Sequence, residues 1–187
     1  MLIKKIYKPL LLLSLVFQGC NDFEDLNTNP NEPTAVSSGV LFSSAIRNSA
    51  QTQSNESFLL GNNIAQLSAK TLRAEVDFYG WNAFPTVWEG FYESLTDVQQ
   101  VIEISVETGD TATQGAAVIY KSWIYSVLTN AYGDIPYSEA MKGLEANFTP
   151  AYDSQEAIYA DLLNSLQQAI GMLSNGGNVQ GDLLFEG

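Results

Sequence analysis

Histidine is absent from these 187 residues, and cysteine occurs once, as Cys20. Without histidine, the Ser-His-Asp and Cys-His arrangements that activate a nucleophile cannot be assembled from this chain. The same shortages exclude the usual His- and Cys-rich zinc sites, and a single cysteine excludes an intrachain disulfide. Basic residues are also scarce: 8 Lys and Arg stand against 21 Asp and Glu, a net charge of −13. Phosphate is held by clustered Lys and Arg, so nucleic acid is not an expected partner, and neither is a polybasic contact with a membrane surface. The chemistry that remains belongs to carboxylates, acting on a sugar or on calcium. Long apolar runs are missing too. The run from Leu10 to Phe17, broken only by Ser14, is far too short to span a bilayer. No stretch alternates convincingly enough to predict a strand, and no cofactor is called for.

What is present begins with 45% apolar residues, enough for one domain with a sizeable core. Lys4, Lys5 and Lys8 precede the short apolar run, which is the build of a secretory signal. Gln18, Gly19 and Cys20 follow it, and a Gly-Cys pair there resembles a bacterial lipobox, with Phe17 and Gln18 departing from the usual Leu and small residue. In such signals the cysteine is acylated and becomes the mature N-terminus. Residues 1–19 are then a signal peptide and 20–36 a lipidated, extended leader. Loss of the three lysines leaves 5 basic residues against 21 acidic, a net charge of −16. Asn21-Asp22-Phe23-Glu24-Asp25 resembles the surface-export signal of Bacteroidetes lipoproteins. The membrane would be reached through the N-terminal lipid only, with an acidic body repelled by anionic headgroups.

From residue 37 to 187 the periodicity is helical. Val40, Leu41, Ala45 and Ile46 suggest a first helix that ends in the polar run Asn48–Asn55. Leu60, Ile64, Leu67 and Thr71 predict a second over Glu56–Ala74. Asp77–Pro85 breaks the pattern, with four aromatics in nine residues. A third helix, about Thr86–Val106, carries Trp88, Phe91 or Tyr92, Leu95, Val98, Ile102 and Val106. A fourth, about Thr113–Ala131, carries Ala117, Tyr120, Trp123 or Ile124, Val127 or Leu128, and Ala131. The short turn Glu107–Asp110 makes these two an antiparallel hairpin. Tyr132-Gly-Asp-Ile-Pro-Tyr-Ser-Glu-Ala140 then stops the fourth helix, because Gly133 can close it and Pro136 cannot continue it. Its Asp134 is expected to order the turn through local backbone hydrogen bonds. A fifth helix is expected with Asp153 as its cap, Glu156 as the capping-box partner, and a stripe of Ile158, Leu162, Leu166, Ala169 or Ile170, and Leu173. Asp182–Gly187 ends the chain on an apolar trio with no element after it, as a truncated chain would. The class is mainly α, as helical hairpins.

Several of these segments together resemble one family. They are the lipoprotein start at Cys20, the Asn-Pro-rich leader Asn27–Pro33, and Trp88-Glu-Gly-Phe-Tyr-Glu-Ser-Leu95 with its helix. To these are added Tyr132–Ala140 and Pro150-Ala-Tyr-Asp-Ser-Gln-Glu-Ala-Ile-Tyr159. The chain resembles the N-terminal part of a SusD/RagB-type outer-membrane lipoprotein. The resemblance implies an incomplete SusD-like α/α superhelical fold of TPR-like hairpins. It also implies a role: capture of oligosaccharide, sometimes peptide, at the cell exterior for a SusC-like TonB-dependent outer-membrane transporter. Such a protein is a lipid-anchored binding protein of glycan uptake, not an enzyme.

A sugar ring has an apolar face and polar edges, so its sites pair aromatic platforms with amides and carboxylates. Trp81, Tyr79, Asn82 and Asp77 fit that description, and Arg73 can add a donor. The alternatives are that Trp81 packs back onto the helices and that Arg73 sits on a solvated helix face. Trp88 and Trp123 lie on helical stripes and are expected in the core. Glu89 and Glu93, one turn apart, are read as a solvated face. Two other functions remain open: a secreted carbohydrate-active enzyme using carboxylates, and a structural lipoprotein adaptor without a ligand site.

Overall fold

Ser37 starts the first helix by accepting the Val40 N–H on its hydroxyl, and α1 runs Ser38–Glu56. It does not end in the polar run. Ser49 lies buried there, donating to the Ala45 carbonyl and sharing a 2.6 Å hydrogen bond with the Tyr120 hydroxyl. Thr52 sits where α1 crosses the next long helix. A side chain at Gly90 would come within 2.5 Å of its hydroxyl, so the close approach depends on glycine. Tertiary contact therefore carries the helix through residues that look like its end.

The computed structural model describes residues 36–72, 76, 78–80, 85–143 and 146–185, with the backbone only at 85 and 86. The expected signal peptide, leader and lipidated Cys20 lie outside the described residues. Ser37–Gly187 forms one compact unit.

The helix expected over Glu56–Ala74 is not what forms. A π-helical stretch, Ser57–Gly61, leads to a single turn, Asn62–Ile64, and the helix stops. Asn63 is buried, and its amide donates to the carbonyls of Phe58 and Leu59. An amide that takes backbone carbonyls competes with the helix ladder. Gln66 then turns to φ +56°, and the Leu67 N–H closes onto the Asn62 carbonyl. Leu67, expected on the buried stripe, is exposed.

The next two helices follow their stripes except at the C-terminal ends, where Val106 and Ala131, expected on the buried face, are exposed because each helix runs past the core there. α2 spans Pro85–Thr108 and α3 spans Thr111–Tyr132, with Asp110 capping α3 through the Thr113 N–H. Phe91, Leu95, Val98 and Val101 of α2 are fully buried, as are Ala117, Ile124 and Leu128 of α3. Burial of each large apolar side chain stabilises the fold by roughly 1.5–3 kcal/mol. α4 spans Gln155–Leu173 and buries Ile158, Leu162 and Ala169. Helices adjacent in sequence pack on one another, α1 on α2, α2 on α3 and α3 on α4, and the contacts Thr52–Gly90, Lys121–Gln99, Tyr159–Asn130 and Gly115–Met172 make the neighbours antiparallel. The result is an array of helical hairpins, mainly α as expected. Two two-residue strands interrupt it: β1, Ile135–Pro136, pairs antiparallel with β2, Tyr152–Asp153.

Three further expectations are corrected. Ser154, not Asp153, caps α4 by accepting the Ala157 N–H, so no capping box forms with Glu156. Asp134 reaches 21 residues along the chain to the Gln155 N–H instead of bonding locally. Trp88 is only partly buried, and Trp123 is 37% exposed, its ring edge-on to Phe91 at 6.0 Å. Trp123 lies on the flank of its stripe, where the core ends.

Candidate functional site

The turn after α3 and the start of α4 hold each other by an exchange of carboxylates. Asp134, in the turn, accepts the first N–H of α4 at 3.0 Å. Asp153, just before α4, accepts the Tyr137 and Ser138 N–H groups at 3.1 and 2.8 Å, and the Ser138 hydroxyl as well. The Ser138 N–H is the main reason the Asp153 carboxyl lies below its ordinary value; the Ser138 hydroxyl and the Tyr137 N–H add to it. Gln155 then donates its side-chain amide to the Thr129 carbonyl at 2.7 Å. Gly133 makes the reversal possible, at φ +78° and ψ −122°, a conformation that side chains resist.

This clamp carries a run of aromatic rings. Trp88, in the first turn of α2, lies 4.8 Å from Tyr92 and edge-on to Tyr132 at 5.2 Å. It is stacked with Tyr152 at 6.4 Å and 24°. Tyr92 donates to the Pro136 carbonyl at 2.7 Å, which fixes the N-terminal turns of α2 to β1. Behind it, Tyr125 and Tyr137 pack edge-on at 4.6 Å, and Tyr137 donates to Asp161 at 2.6 Å. Burial is the main cause that pushes the phenols of Tyr92, Tyr125 and Tyr137 up. The inner rings are structural. The outer ones are open to solvent: Tyr152 is 65% exposed, Tyr132 is half-exposed and Trp88 partly so. Together they make an aromatic face on a rigid base.

Of the residues expected to meet a ligand, Tyr79 alone is described. It is exposed, holds φ +57° and donates its N–H to the Val76 carbonyl. Arg73, Asp77, Trp81 and Asn82 lie outside the described residues. The sequence reading missed the Trp88–Tyr132–Tyr152 face because each ring sits in a different segment, and Trp88 falls on a helical stripe. The tyrosines bracketing the turn at 132 and 137 were the available signal. Among the described residues no three acidic side chains gather as a metal ion would require. No described helix is long and apolar enough to cross a membrane.

Residues 30–187 match the model of the SusD-like family described as "Starch-binding associating with outer membrane". No curated protein matches the chain. Among solved structures, a SusD homologue from Bacteroides fragilis superposes with a TM-score of 0.63 at 24% identity, over 82% of this chain and 32% of its own. A second from the same species gives 0.62 at 22% identity, over 81% and 32%. A SusD/RagB family protein from Bacteroides thetaiotaomicron gives 0.59 at 23%, over 80% and 32%. At these identities the likeness is one of fold, and this chain spans about a third of the length of the structures it matches. The family match covers most of the chain and the helical array agrees with it: the chain belongs to the SusD/RagB-type family of SusD-like proteins.

Proposed function

We propose that this chain supplies a sugar-facing surface of a lipoprotein that captures oligosaccharide at the cell exterior. In this reading lipid on Cys20 holds the protein to the outer membrane, and the glycan passes uncleaved to a SusC-like TonB-dependent transporter. The observation that carries it is the stacked Trp88–Tyr152 pair with Tyr132 beside it, exposed on a hydrogen-bonded clamp. Exposed rings offer an apolar platform to the C–H face of a pyranose, and a rigid base lowers the ordering cost of binding. The loop before Pro85 leads in sequence straight into the helix that bears Trp88. Tyr79 and Trp81 would extend the platform, with Asn82, Asp77 and Arg73 as hydrogen-bond partners. The family's description as starch-binding and outer-membrane-associated supports both the ligand class and the location.

The test is calorimetry of the full-length protein against maltohexaose, cellohexaose and mannohexaose. Binding of at least one, weakened about tenfold or more by Trp88→Ala together with Tyr152→Ala, is the expected result. Unchanged affinity in that double variant removes the aromatic face from the site. Release of new reducing ends overturns the non-catalytic reading. Co-purification with a TonB-dependent transporter is expected from membranes, and its absence removes the partner.

A further inference from the structure

A cleft of about 560 Å³ opens between α2 and the segment that follows β1. One wall is Thr96, Gln99, Gln100 and Glu103, which fall at i, i+3, i+4 and i+7 and so share a stripe of the helix. The other is the segment bearing Met141, Gly143 and Phe148. None of these residues belongs to the Trp88–Tyr132–Tyr152 face. The cleft is built, not incidental. Glu139 closes its outer segment by accepting the Ala151 N–H at 3.0 Å and the Asn147 amide at 3.4 Å. The Thr96 hydroxyl, 3.3 Å from the Met141 sulfur, ties that segment to α2. Phe148 is left 80% exposed.

The polar wall is oriented from behind. Gln99 accepts the half-buried Lys121 ammonium on Oε1 at 2.8 Å and donates Nε2 to Glu103 at 2.8 Å. An ammonium can only donate and a carboxylate can only accept, so the amide cannot flip. Lys121 thus fixes Gln99, and Gln99 fixes the Glu103 carboxylate at the edge of the cleft.

The chemistry narrows the occupant. An anion would meet Glu103 and a net charge of −13. A metal cation would find a single carboxylate, with the Lys121 ammonium behind the amide it bonds. An apolar segment would cover the Gln100 amide and the carboxylate positions of Glu103 that Gln99 does not fill. A neutral pyranose satisfies both walls. We infer that this cleft is a separate sugar subsite: one ring lies with its apolar face on Phe148, and its hydroxyls bond the Gln100 amide and the Glu103 carboxylate. The subsite uses no residue of the aromatic face, so it stands or falls apart from the function proposed above.

The experiment is a heteronuclear NMR titration of the 15N-labelled protein with maltohexaose, cellohexaose and mannohexaose. The expected result is a saturable shift of the Gln99 and Gln100 side-chain amides with at least one sugar. Phe148→Ala should weaken that response about tenfold and Gln100→Ala about threefold, leaving the Trp88 indole response in place. Both side chains are exposed, so neither variant endangers folding. Shifts at the Trp88 indole alone overturn the subsite and leave the proposed function standing. Shifts at the cleft alone support the subsite and count against the aromatic face. Silence at both with all three sugars overturns both, and so does a cleft response untouched by Phe148→Ala as far as the subsite is concerned.

Discussion

Two connections between helices use similar residues and come out differently. The link from α3 to α4, residues 133–154, and the segment that follows α1 from Ser57 both interleave glycine and polar residues with aromatics. In the first, polar groups reach across the fold: Asp134 to Gln155, Asp153 to Tyr137 and Ser138, Tyr92 to Pro136. Ile135 and Pro136 are consequently buried. In the second, the buried amide of Asn63 bonds within its own turn. Asn63 takes the Phe58 and Leu59 carbonyls, and Lys70 takes Leu59. Phe58, Leu67, Leu72 and Phe78 are left exposed. Composition does not decide whether such a connection is scaffold or surface. The distance over which its polar groups find partners does.

Three measurements can break that contrast, the first with the largest expected effect. Ile135→Ala removes a fully buried side chain from the clamp. It should lower unfolding free energy by about 2–4 kcal/mol in urea titrations. A loss under about 1 kcal/mol would mean the clamp is not part of the packed core.

Next is Asp153→Ala, which takes away the acceptor of two N–H groups and one hydroxyl. The carboxylate is well solvated, so the expected loss at neutral pH is about 1 kcal/mol. The pH dependence gives the sharper readout. The folded carboxyl titrates below its ordinary 3.8, so its contribution is present above that value and fades as pH falls through the lower, folded pKa. The gap between wild type and variant should therefore close in strong acid. A gap that is constant from pH 7 down to about 2 would show that ionisation of Asp153 is not what holds the turn.

The smallest effect belongs to the other connection. Leu72→Ser, at a side chain 83% exposed, should change stability by less than about 0.5 kcal/mol. A loss above about 1 kcal/mol would place that segment in the core and erase the contrast.

How far the sequence could be read follows from the same distinction. The stripes of α2, α3 and α4 were legible because Leu95, Val98, Ile124, Leu128, Ile158 and Leu162 recur with helical spacing and are in fact buried. The end of α3 was legible because Gly133 and Pro136 act within a few residues of themselves. The stripe Leu60–Thr71 has the same spacing and misled, because spacing says nothing of a buried asparagine that unpicks the ladder. Asp134 and Asp153 were assigned to the right ends of the right segments and given each other's kind of partner. One was expected to order its own turn, the other to cap its own helix. Each instead serves the opposite side of the clamp.

By itself, then, the sequence determined the helical class, the α2–α3 hairpin and the chemistry that is impossible without histidine. These depend on periodicity and residue type, which are local. Tertiary structure decided which rings face water, which carboxylate holds which strand of the clamp, and that Trp88, Tyr132 and Tyr152 share one face. Those outcomes join residues 15 to 64 positions apart. Only the packing of α2, α3 and α4 selects which of the possible long-range partners actually meet.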